Sequence, residues 1–477
     1  MTVLSTARPG ATLFDKAWSA HVVTDLGGGS VLLHIDRHLV HDLGALGITG
    51  LRDRALRVRN PELTFATIDH TVSSAPGRDA ETNPAGAPLI HDLRRNTTEL
   101  GVRLFDLGET GQGIVHVMGP ELGLSLPGTT VVCGDSHTCT HGGLGALAFG
   151  IGTSELVHVF ATQTLVQRKP KRLRVRFEGV LPLGVTPKDL ALELIRRHGA
   201  SGGDGYAIEY AGSAITSMGV EGRMTICNLS VEFGAKIGMV APDDTTLEYL
   251  AGRPFTPRGA LWDEAVSYWR RLPSDEDAVF DREIVIDVAG LAPRITWGTS
   301  PEHAMAVDGR VPDPAQAGSA QERTAIDSAL SYMGLRPGQT LLGTPVDWVF
   351  IGSCTNSRLS DLRQAAAVVK GRKVAEGVQA WVVPGSEQVK RDAEAEGLDT
   401  VFRSAGFQWR ESGCSLCLAA NGEAVPPGKR CVSTTNRNFV GRQGPGARTH
   451  LASPATAAAS ALAGSIADPR RIMTTGV

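Results

Sequence analysis

The sequence is poor in aromatic residues and has no long apolar stretch. Aromatic side chains make up 5% of its 477 residues, and no window approaches the roughly 18 uninterrupted apolar positions of a membrane-spanning helix. Residues 1–8 also lack the apolar core of a signal peptide. We therefore expect a cytoplasmic protein that has no membrane partner.

An excess of charge of one sign is lacking too. The net charge is −3, and no basic block is present, which argues against a nucleic-acid partner. A small anionic substrate would have to be bound by individual arginines. The apolar content of 42% is ordinary for an α/β enzyme, and a chain of this length can form several cores.

The seven cysteines are too scattered and odd in number for a disulfide framework. Cys354 follows an apolar run of strand length, and Cys414 and Cys417 form a Cys-x-x-Cys pair. Three thiolates leave an open position on a metal centre, where a substrate can bind. A Cys-x-x-Cys pair is also typical of zinc knuckles and redox dithiols, so a redox pair plus a buried cysteine remains the alternative.

Three segments share one pattern, in which an apolar strand ends in small or reactive polar residues. They are residues 64–70, 129–137 and 348–357. Ligands gather at the carboxyl ends of strands in parallel sheets, so we expect these three ends to surround one site. A helix predicted over residues 358–370 places Cys354 on a strand-to-helix turn.

Two of these strand ends carry carboxylates beside histidines. Asp69 precedes His70, Asp135 is two residues before His137, and His116 lies in the apolar run 113–117. A carboxylate next to an imidazole raises its proton affinity, which suits proton transfer to a leaving hydroxyl. The alternative for each pair is an ordinary surface turn or a polar pair in the core.

Two further segments carry candidate ligand-binding residues. A helix predicted over residues 227–236 places Asn228 and Glu232 on one face, where the alternative is a solvated stripe. Arg437 and Arg442 lie in the glycine-rich loop 435–446, and arginines can bind carboxylates with two hydrogen bonds.

Residues 143–148 match the Gly-x-Gly-x-x-Ala pattern of dinucleotide-binding loops, which raises the alternative of a nicotinamide dehydrogenase. The preceding strand ends too early, and the acidic residue expected about 20 positions later is absent. We therefore predict close packing of a helix on a sheet. A helix starting at Ser453-Pro454 is predicted to close at Gly464.

Changes in composition near residues 168–182 and 293–322 indicate three α/β units, which we place at 1–175, 176–292 and 293–477.

Four motifs occur in order: Cys-Gly-Asp-Ser-His-Thr (133–138), Ile-Gly-Ser-Cys-Thr-Asn-Ser (351–357), Gly-Cys-Ser-Leu-Cys-Leu (413–418) and Asn-Arg-Asn-Phe-Val-Gly-Arg (436–442). With these motifs the chain resembles the aconitase superfamily almost end to end. Segments 221–228 and 296–299 resemble its isopropylmalate dehydratase branch.

The resemblance implies an aconitase-like α/β core of three subdomains around a [4Fe-4S] cluster, lacking the fourth, swivelling domain. That domain is expected on a separate small subunit, which supplies a serine base. The implied reaction converts 2-isopropylmalate to 3-isopropylmalate through 2-isopropylmaleate in leucine biosynthesis. The site residues implied by the resemblance are Cys354, Cys414 and Cys417 as cluster ligands; Asp69, His70, His116, Asp135, His137 and Glu232 for proton transfer; and Asn228, Arg437 and Arg442 for substrate binding.

Two alternatives remain within the superfamily. Departures from the family pattern at Cys139, at 421–424 and at 75–95 leave open a paralogue acting on another 2-substituted malate, such as a citramalate-, homocitrate- or benzylmalate-like substrate. A cluster-free, RNA-binding relative would be expected to carry a basic patch and to lose the cysteines, and neither holds here.

Overall fold

A computed structural model describes residues 10–473, apart from the side chains of residues 45 and 46. The N-terminal residues 1–8, on which the prediction of no signal peptide rests, lie outside this range. The strands are β1 (Val22–Gly27), β2 (Ser30–His34), β3 (Arg37–His41), β4 (Thr64–Thr67), β5 (Arg103–Phe105), β6 (Thr130–Cys133), β7 (Leu147–Gly150), β8 (Thr164–Arg168), β9 (Lys171–Glu178), β10 (Tyr206–Ala211), β11 (Ile237–Val240), β12 (Arg282–Asp287), β13 (Arg294–Thr296), β14 (Ala304–Ala306), β15 (Trp348–Ile351), β16 (Gln379–Val382), β17 (Gln408–Trp409), β18 (Arg430–Ser433) and β19 (Arg448–Leu451).

The helices are α1 (Leu13–His21), α2 (Ala45–Asp53), α3 (Ala87–Leu100), α4 (Val115–Leu122), α5 (Thr153–Thr162), α6 (Pro187–His198), α7 (Ser213–Thr216), α8 (Val220–Asn228), α9 (Asp244–Leu250), α10 (Ala260–Trp269), α11 (Ala320–Met333), α12 (Leu359–Val369), α13 (Glu387–Ala395), α14 (Leu398–Ala405), α15 (Pro454–Ala463) and α16 (Pro469–Met473). No helix among residues 10–473 is both long and apolar enough to cross a membrane.

Three parallel sheets organise the chain, with strand orders β5-β4-β3-β6-β7, β11-β10-β9-β12 and β17-β16-β15-β18-β19. In both five-stranded sheets the chain first adds strands from the middle toward one edge. It then returns to the middle and adds the remaining strands toward the opposite edge. The order therefore reverses between β3 and β6 and between β15 and β18. Such reversals open a crevice at the carboxyl ends of the strands, where ligands bind.

Each of the three proposed ranges contains all or most of one of these sheets, but the apolar core of the first sheet also includes Ala207, Ile237 and Met239 from the second. The proposed division at residue 175 falls inside β9, a strand of the second sheet. The division into three subdomains stays a prediction.

Two of the predicted helices are confirmed and one is wrong. Helix α12 follows β15 as expected, and α15 starts at the N-cap Ser453 and closes at Gly464 with φ +64°. The helix predicted over 227–236 instead ends at Asn228. The Ser230 hydroxyl bonds to Tyr210, and Gly234 adopts φ +95°, so the chain turns away after one short 3₁₀ turn.

The glycine-rich segment 143–148 is confirmed as a packing element. Residues 136–144 form a 3₁₀ helix that leads into β7. A Cβ atom added to Gly142 would lie 1.7 Å from the carbonyl oxygen of Gly238 in β11, and one added to Gly143 would lie 2.7 Å from the Met224 nitrogen in α8. Only glycine allows these backbones to approach so closely.

We predict that Gly142→Ala destabilises the protein by about 1–3 kcal/mol or more, because the new methyl group overlaps backbone atoms that cannot move independently. The melting temperature, measured at one fixed scan rate, should fall. Gly290→Ala is the matched control, since nothing lies within 4 Å of its added Cβ atom. Equal melting temperatures for the two variants would contradict the packing described here.

Candidate active site

The crevice at the strand ends collects the candidate residues from both five-stranded sheets. His41 ends β3 and Asp42 follows it, residues 69–70 follow β4, and residues 135–137 follow β6. From the other sheet, Cys354 follows β15 and residues 436–442 follow β18. The expectation that strand ends at 70, 137 and 354 meet is confirmed, because the contacts below join them.

Asp135 contacts three imidazole rings. Its Oδ1 atom lies 3.1 Å from His116 Nε2 and 3.3 Å from His137 Nδ1, and its Oδ2 atom lies 3.2 Å from His70 Nε2. It also accepts a hydrogen bond of 2.6 Å from the backbone N–H of His137. A carboxylate has about four lone-pair sites, so one acid can hold all three rings in place.

The protonation preferences of these groups differ. Burial would raise the pKa of Asp135, but hydrogen bonds from the three histidines hold that pKa well below its usual range. Burial opposes a charge on His70, yet the Asp69 carboxylate raises the pKa of His70 well above its usual range. Burial lowers the pKa of His116, and it is outweighed at His137, whose pKa is raised by Asp135 and Glu232. The surroundings therefore favour protonation of His70 and His137 and disfavour protonation of His116.

His116 contacts a second buried histidine, His141, which the sequence analysis did not assign to the site. His116 Nδ1 lies 3.0 Å from His141 Nε2, and His141 Nδ1 lies 2.6 Å from the Ser125 hydroxyl. Burial holds the pKa of His141 well below its usual range. Neutral rings can each donate at one nitrogen and accept at the other, so this row can pass a proton.

Asp69 and Asp42 fix the position of His70. Asp69 Oδ1 lies 2.5 Å from His70 Nδ1. Asp42 is fully buried and accepts hydrogen bonds from the backbone N–H groups of Asp69, His70 and Thr71 at 3.2, 3.1 and 2.5 Å. Burial would raise the pKa of Asp42, but His70 and His41 nearby and these hydrogen bonds lower it to about 2. Asp42 thus holds the backbone turn that presents His70.

His41, Asp42, Asp69 and His70 offer ligand atoms that lie within 4.8 Å of one another. Hydrogen bonds already occupy Asp42 and both ring nitrogens of His70, so these groups serve the proton network. His41 is buried, its ring lies 4.5 Å from that of His70, and its nitrogens have no partner among residues 10–473. The sequence analysis missed His41 and Asp42, although a His-Asp pair at a strand end was a usable signal.

Glu232 joins His137 to Arg437. Its Oε1 atom lies 3.0 Å from His137 Nε2 and 2.7 Å from Arg437 Nε. Burial would raise the pKa of Glu232, but His137 and Arg437 lower it. Arg437 also donates to the Ser136 hydroxyl at 3.0 Å, and its side chain is 27% exposed. This guanidinium can therefore meet an anion that enters the crevice.

The three predicted metal ligands reach the crevice from two loops and are 4–5% exposed. The side-chain amides of Asn228 and Asn436 donate to Cys354 Sγ at 3.3 and 3.4 Å. The backbone N–H of Cys414 donates to the Asp69 carbonyl at 2.9 Å. Burial raises the pKa of both Cys354 and Cys414. Amide donors aimed at a buried sulfur are the kind of outer contact that supports a metal-bound thiolate.

The backbone beside these cysteines is strained. Between residues 10 and 473, five non-glycine residues have a positive φ, and three of them flank the cysteines: Ser353 (+78°), Ser415 (+48°) and Ala419 (+54°). Such residues cost about 1–3 kcal/mol each and cluster at functional sites. Glu423, which the sequence analysis did not assign, offsets the strain by accepting hydrogen bonds from Ser415, Ser74 and Arg410 at 2.7–2.8 Å.

The donor set of Cys354, Cys414 and Cys417 consists of three free thiols. Three thiolates are one ligand short of closing a tetrahedral zinc site or a four-cysteine cluster. All seven cysteines are free thiols, so Cys414 and Cys417 form no redox disulfide here. Three thiolates on a larger cluster leave one metal position open.

The loop after β18 supplies a second arginine and an apolar tip. Arg442 Nη2 lies 3.8 Å from Cys417 Sγ, and Arg442 Nε has no partner among the described residues. Phe439 and Val440, at the tip of the same loop, are 50% and 59% exposed. Arg442 therefore lies beside the Cys417 sulfur, and its buried Nε donor has no protein partner among the described residues.

Asn228 differs from the other candidate ligand-binding residues, because protein atoms engage its whole side chain. Its amide nitrogen donates to Cys354 and to the Thr140 hydroxyl, and its amide oxygen accepts from the Thr355 hydroxyl at 2.7 Å. Its role in substrate binding stays a prediction. The observed contact indicates support of a cysteine ligand.

We predict that Glu232→Gln lowers the pKa of His137, because a neutral amide no longer stabilises the imidazolium. The charged ring should then lose its proton at lower pH than in the wild type, where the pKa is raised. An NMR titration with ¹³Cε1-labelled histidine, assigned with His137→Gln, measures this. Glu283→Gln, which weakens pairs with Arg174 and Arg176 on β9 away from His137, is the control. An unchanged His137 titration in Glu232→Gln would rule out this coupling.

The sequence matches known proteins over nearly its whole length. A model of the aconitase family (aconitate hydratase) matches residues 15–464. The chain is 65% identical to the 3-isopropylmalate dehydratase large subunit 1 of Bradyrhizobium diazoefficiens, over 97% of each protein. It is 56% identical to the 3-isopropylmalate dehydratase large subunit of Roseiflexus castenholzii, over 96% of this chain and 99% of that protein. For the protein of that name from Anaeromyxobacter dehalogenans the identity is 54%, over 97% of each.

Proposed function

Because the chain belongs to the aconitase family and is 54–65% identical to three 3-isopropylmalate dehydratase large subunits, we propose that it is such a subunit. The enzyme is a hydro-lyase of leucine biosynthesis. It removes water from 2-isopropylmalate and adds water back to 2-isopropylmaleate, giving 3-isopropylmalate. The expected aconitase-like α/β fold is confirmed. The paralogue with another substrate, the RNA-binding relative and the dehydrogenase are not favoured.

One observation carries this proposal from the structure. Three buried cysteines lie in the same crevice as a carboxylate that contacts three histidines. Dehydration of a 2-hydroxy acid needs a proton for the leaving hydroxyl and cations for the substrate carboxylates. Both requirements are met within one set of connected side chains.

His70 is the proton donor in this proposal. Asp69 fixes its Nδ1 atom, so the proton leaves from Nε2, which faces Asp135. When water is added back, Nε2 takes the proton again, as microscopic reversibility requires. His137 and Glu232 hold a second proton beside Arg437, and the neutral row from His116 to His141 connects the network to the interior.

The arginines hold the substrate. Arg437 is partly exposed and Arg442 keeps a free donor, so each can bind a carboxylate at the edge of the crevice. Their charge also stabilises negative charge that develops on the carbon skeleton as the proton is removed. Asn228 supports Cys354 and so acts on the substrate only through the ligand sphere.

An iron–sulfur cluster is the cofactor implied by the family. We propose the [4Fe-4S] type, held by Cys354, Cys414 and Cys417. When bound, it supplies an open iron that acts as a Lewis acid toward the substrate hydroxyl. Burial raises the thiol pKa values here, so the metal must displace those protons on binding.

The relatives' names imply a small-subunit partner. We propose that this partner is the swivelling domain and that it supplies the serine base that removes the carbon-bound proton. The assembled enzyme is proposed to be cytoplasmic.

We predict that protein purified without oxygen contains about four irons and four sulfides per chain. Cys354→Ser, Cys414→Ser or Cys417→Ser should remove the iron, the sulfide and the brown colour together, as measured by metal analysis and absorption spectroscopy. Cys431→Ser is the control, because this buried cysteine lies in β18 outside the crevice. One zinc per chain without acid-labile sulfide would refute the cluster.

We predict that the iron-loaded chain alone has at most trace activity and that adding the small subunit restores turnover. An anaerobic assay with a panel of 2-substituted malates should give the highest kcat/KM for 2-isopropylmalate. Full activity of the single chain would exclude a base on the partner, and preference for another malate would assign the substrate differently.

We also predict that His137→Ala lowers kcat by about 10²–10⁴-fold without loss of iron.

A further inference from the structure

Lys188 is a buried lysine that the proposed reaction does not use. It is the second residue of α6, after the N-cap Thr186, and its side chain is fully buried. Its ammonium group donates one hydrogen bond of 2.6 Å to the carbonyl of Thr435. Across residues 10–473 no carboxylate lies within ion-pair distance of this ammonium group.

The position of Lys188 is unfavourable for the fold on three counts. An ammonium ion buried without an ion-pair partner carries a large desolvation cost. The first turn of a helix is the positive end of its dipole, where a cation is disfavoured. One carbonyl satisfies only one of its three donors. Burial accordingly lowers the pKa of Lys188 to about 7. A role in stabilising α6 does not account for this residue.

The nearest carboxylates are already engaged with other groups. Asp189 accepts hydrogen bonds from the Thr186 hydroxyl and the Arg294 backbone N–H. Asp361 accepts from the Asn356 amide and the Arg358 backbone N–H. Both acids favour the charge of Lys188, but neither forms an ion pair with it among residues 10–473.

The cysteine loops are the other acidic groups that act on Lys188. Cys417 and Cys354 lie close enough to Lys188 for a thiolate on either one to raise its pKa, after Asp361 and Asp189. The carbonyl that Lys188 contacts belongs to Thr435, and the next residue, Asn436, donates to Cys354 Sγ. Lys188 is therefore one residue removed from the hydrogen bonds that support a cluster ligand.

We propose that Lys188 is the buried counter-charge of the metal centre held by Cys354, Cys414 and Cys417, which rests on the cluster assigned under the proposed function. Three thiolates bring more negative charge than a doubly positive [4Fe-4S] core cancels. A fixed cation behind the ligand loops stabilises this excess charge without touching the substrate. Lys188 thus acts on the centre through its charge and is not a catalytic residue.

The proposal predicts effects of opposite sign in the two forms of the protein. In the cluster-free protein, Lys188→Met removes an unpaired buried charge, so the melting temperature should stay the same or rise. In the iron-loaded protein, the same change should make the reduction potential of the centre more negative, because reduction adds negative charge that the cation no longer offsets. Iron loss to a chelator should become several-fold faster.

Melting curves, an EPR-monitored redox titration and a chelation time course measure these three quantities. Lys188→Gln keeps a hydrogen-bond donor for the Thr435 carbonyl but lacks the charge, so it should shift the reduction potential as Lys188→Met does. If Lys188→Met does not fold, Lys188→Gln takes its place in the redox and chelation measurements. Lys429→Met, which loses an exposed pair with Asp347, is the control and should change neither potential nor chelation rate. A lower melting temperature of cluster-free Lys188→Met, or an unshifted potential in the loaded variants, would overturn the proposal. Wild-type protein that binds no iron would instead refute the proposed function.

Discussion

The carboxylate of Asp135 sets what the rest of the site can do, because three imidazoles from three elements contact it. One negative charge in a buried crevice cannot balance three positive rings. His70 and His137 each have a further carboxylate, Asp69 and Glu232, whereas His116 has only a neutral histidine behind it. The separation into charged and neutral histidines thus follows from which ring has an acid of its own.

The fold brings these groups together through the two reversals of strand order. The crevice of the first sheet carries acids and histidines, and that of the third sheet carries cysteines and arginines. Neither sheet holds a complete set. Backbone hydrogen bonds join them, from Cys414 to the Asp69 carbonyl and from Ile114 to the Gly385 carbonyl. The groups proposed for proton transfer and for metal binding are therefore divided between two sheets that these backbone hydrogen bonds join.

The sequence predicts the parts of this site that follow a local pattern. Cys354 and the Asp-His pairs could be placed because each ends an apolar strand, and α12 and α15 because their ends carry clear signals. Asp42 was missed although a His-Asp pair ends β3, whereas Glu423 was missed because its partner Ser74 lies 349 residues away along the chain. The wrong helix at 227–236 has the same origin, since a contact with Tyr210 outweighs helical propensity.

Asp69 serves both halves of the site at once. Its carbonyl holds the backbone of Cys414, while its carboxylate orients His70 and accepts from the Val115 N–H. A change that shifts the loop of Cys414 is therefore expected to shift His70 as well, because one residue holds both. The exposed tip of the loop after β18, formed by Phe439 and Val440, lies outside this linkage.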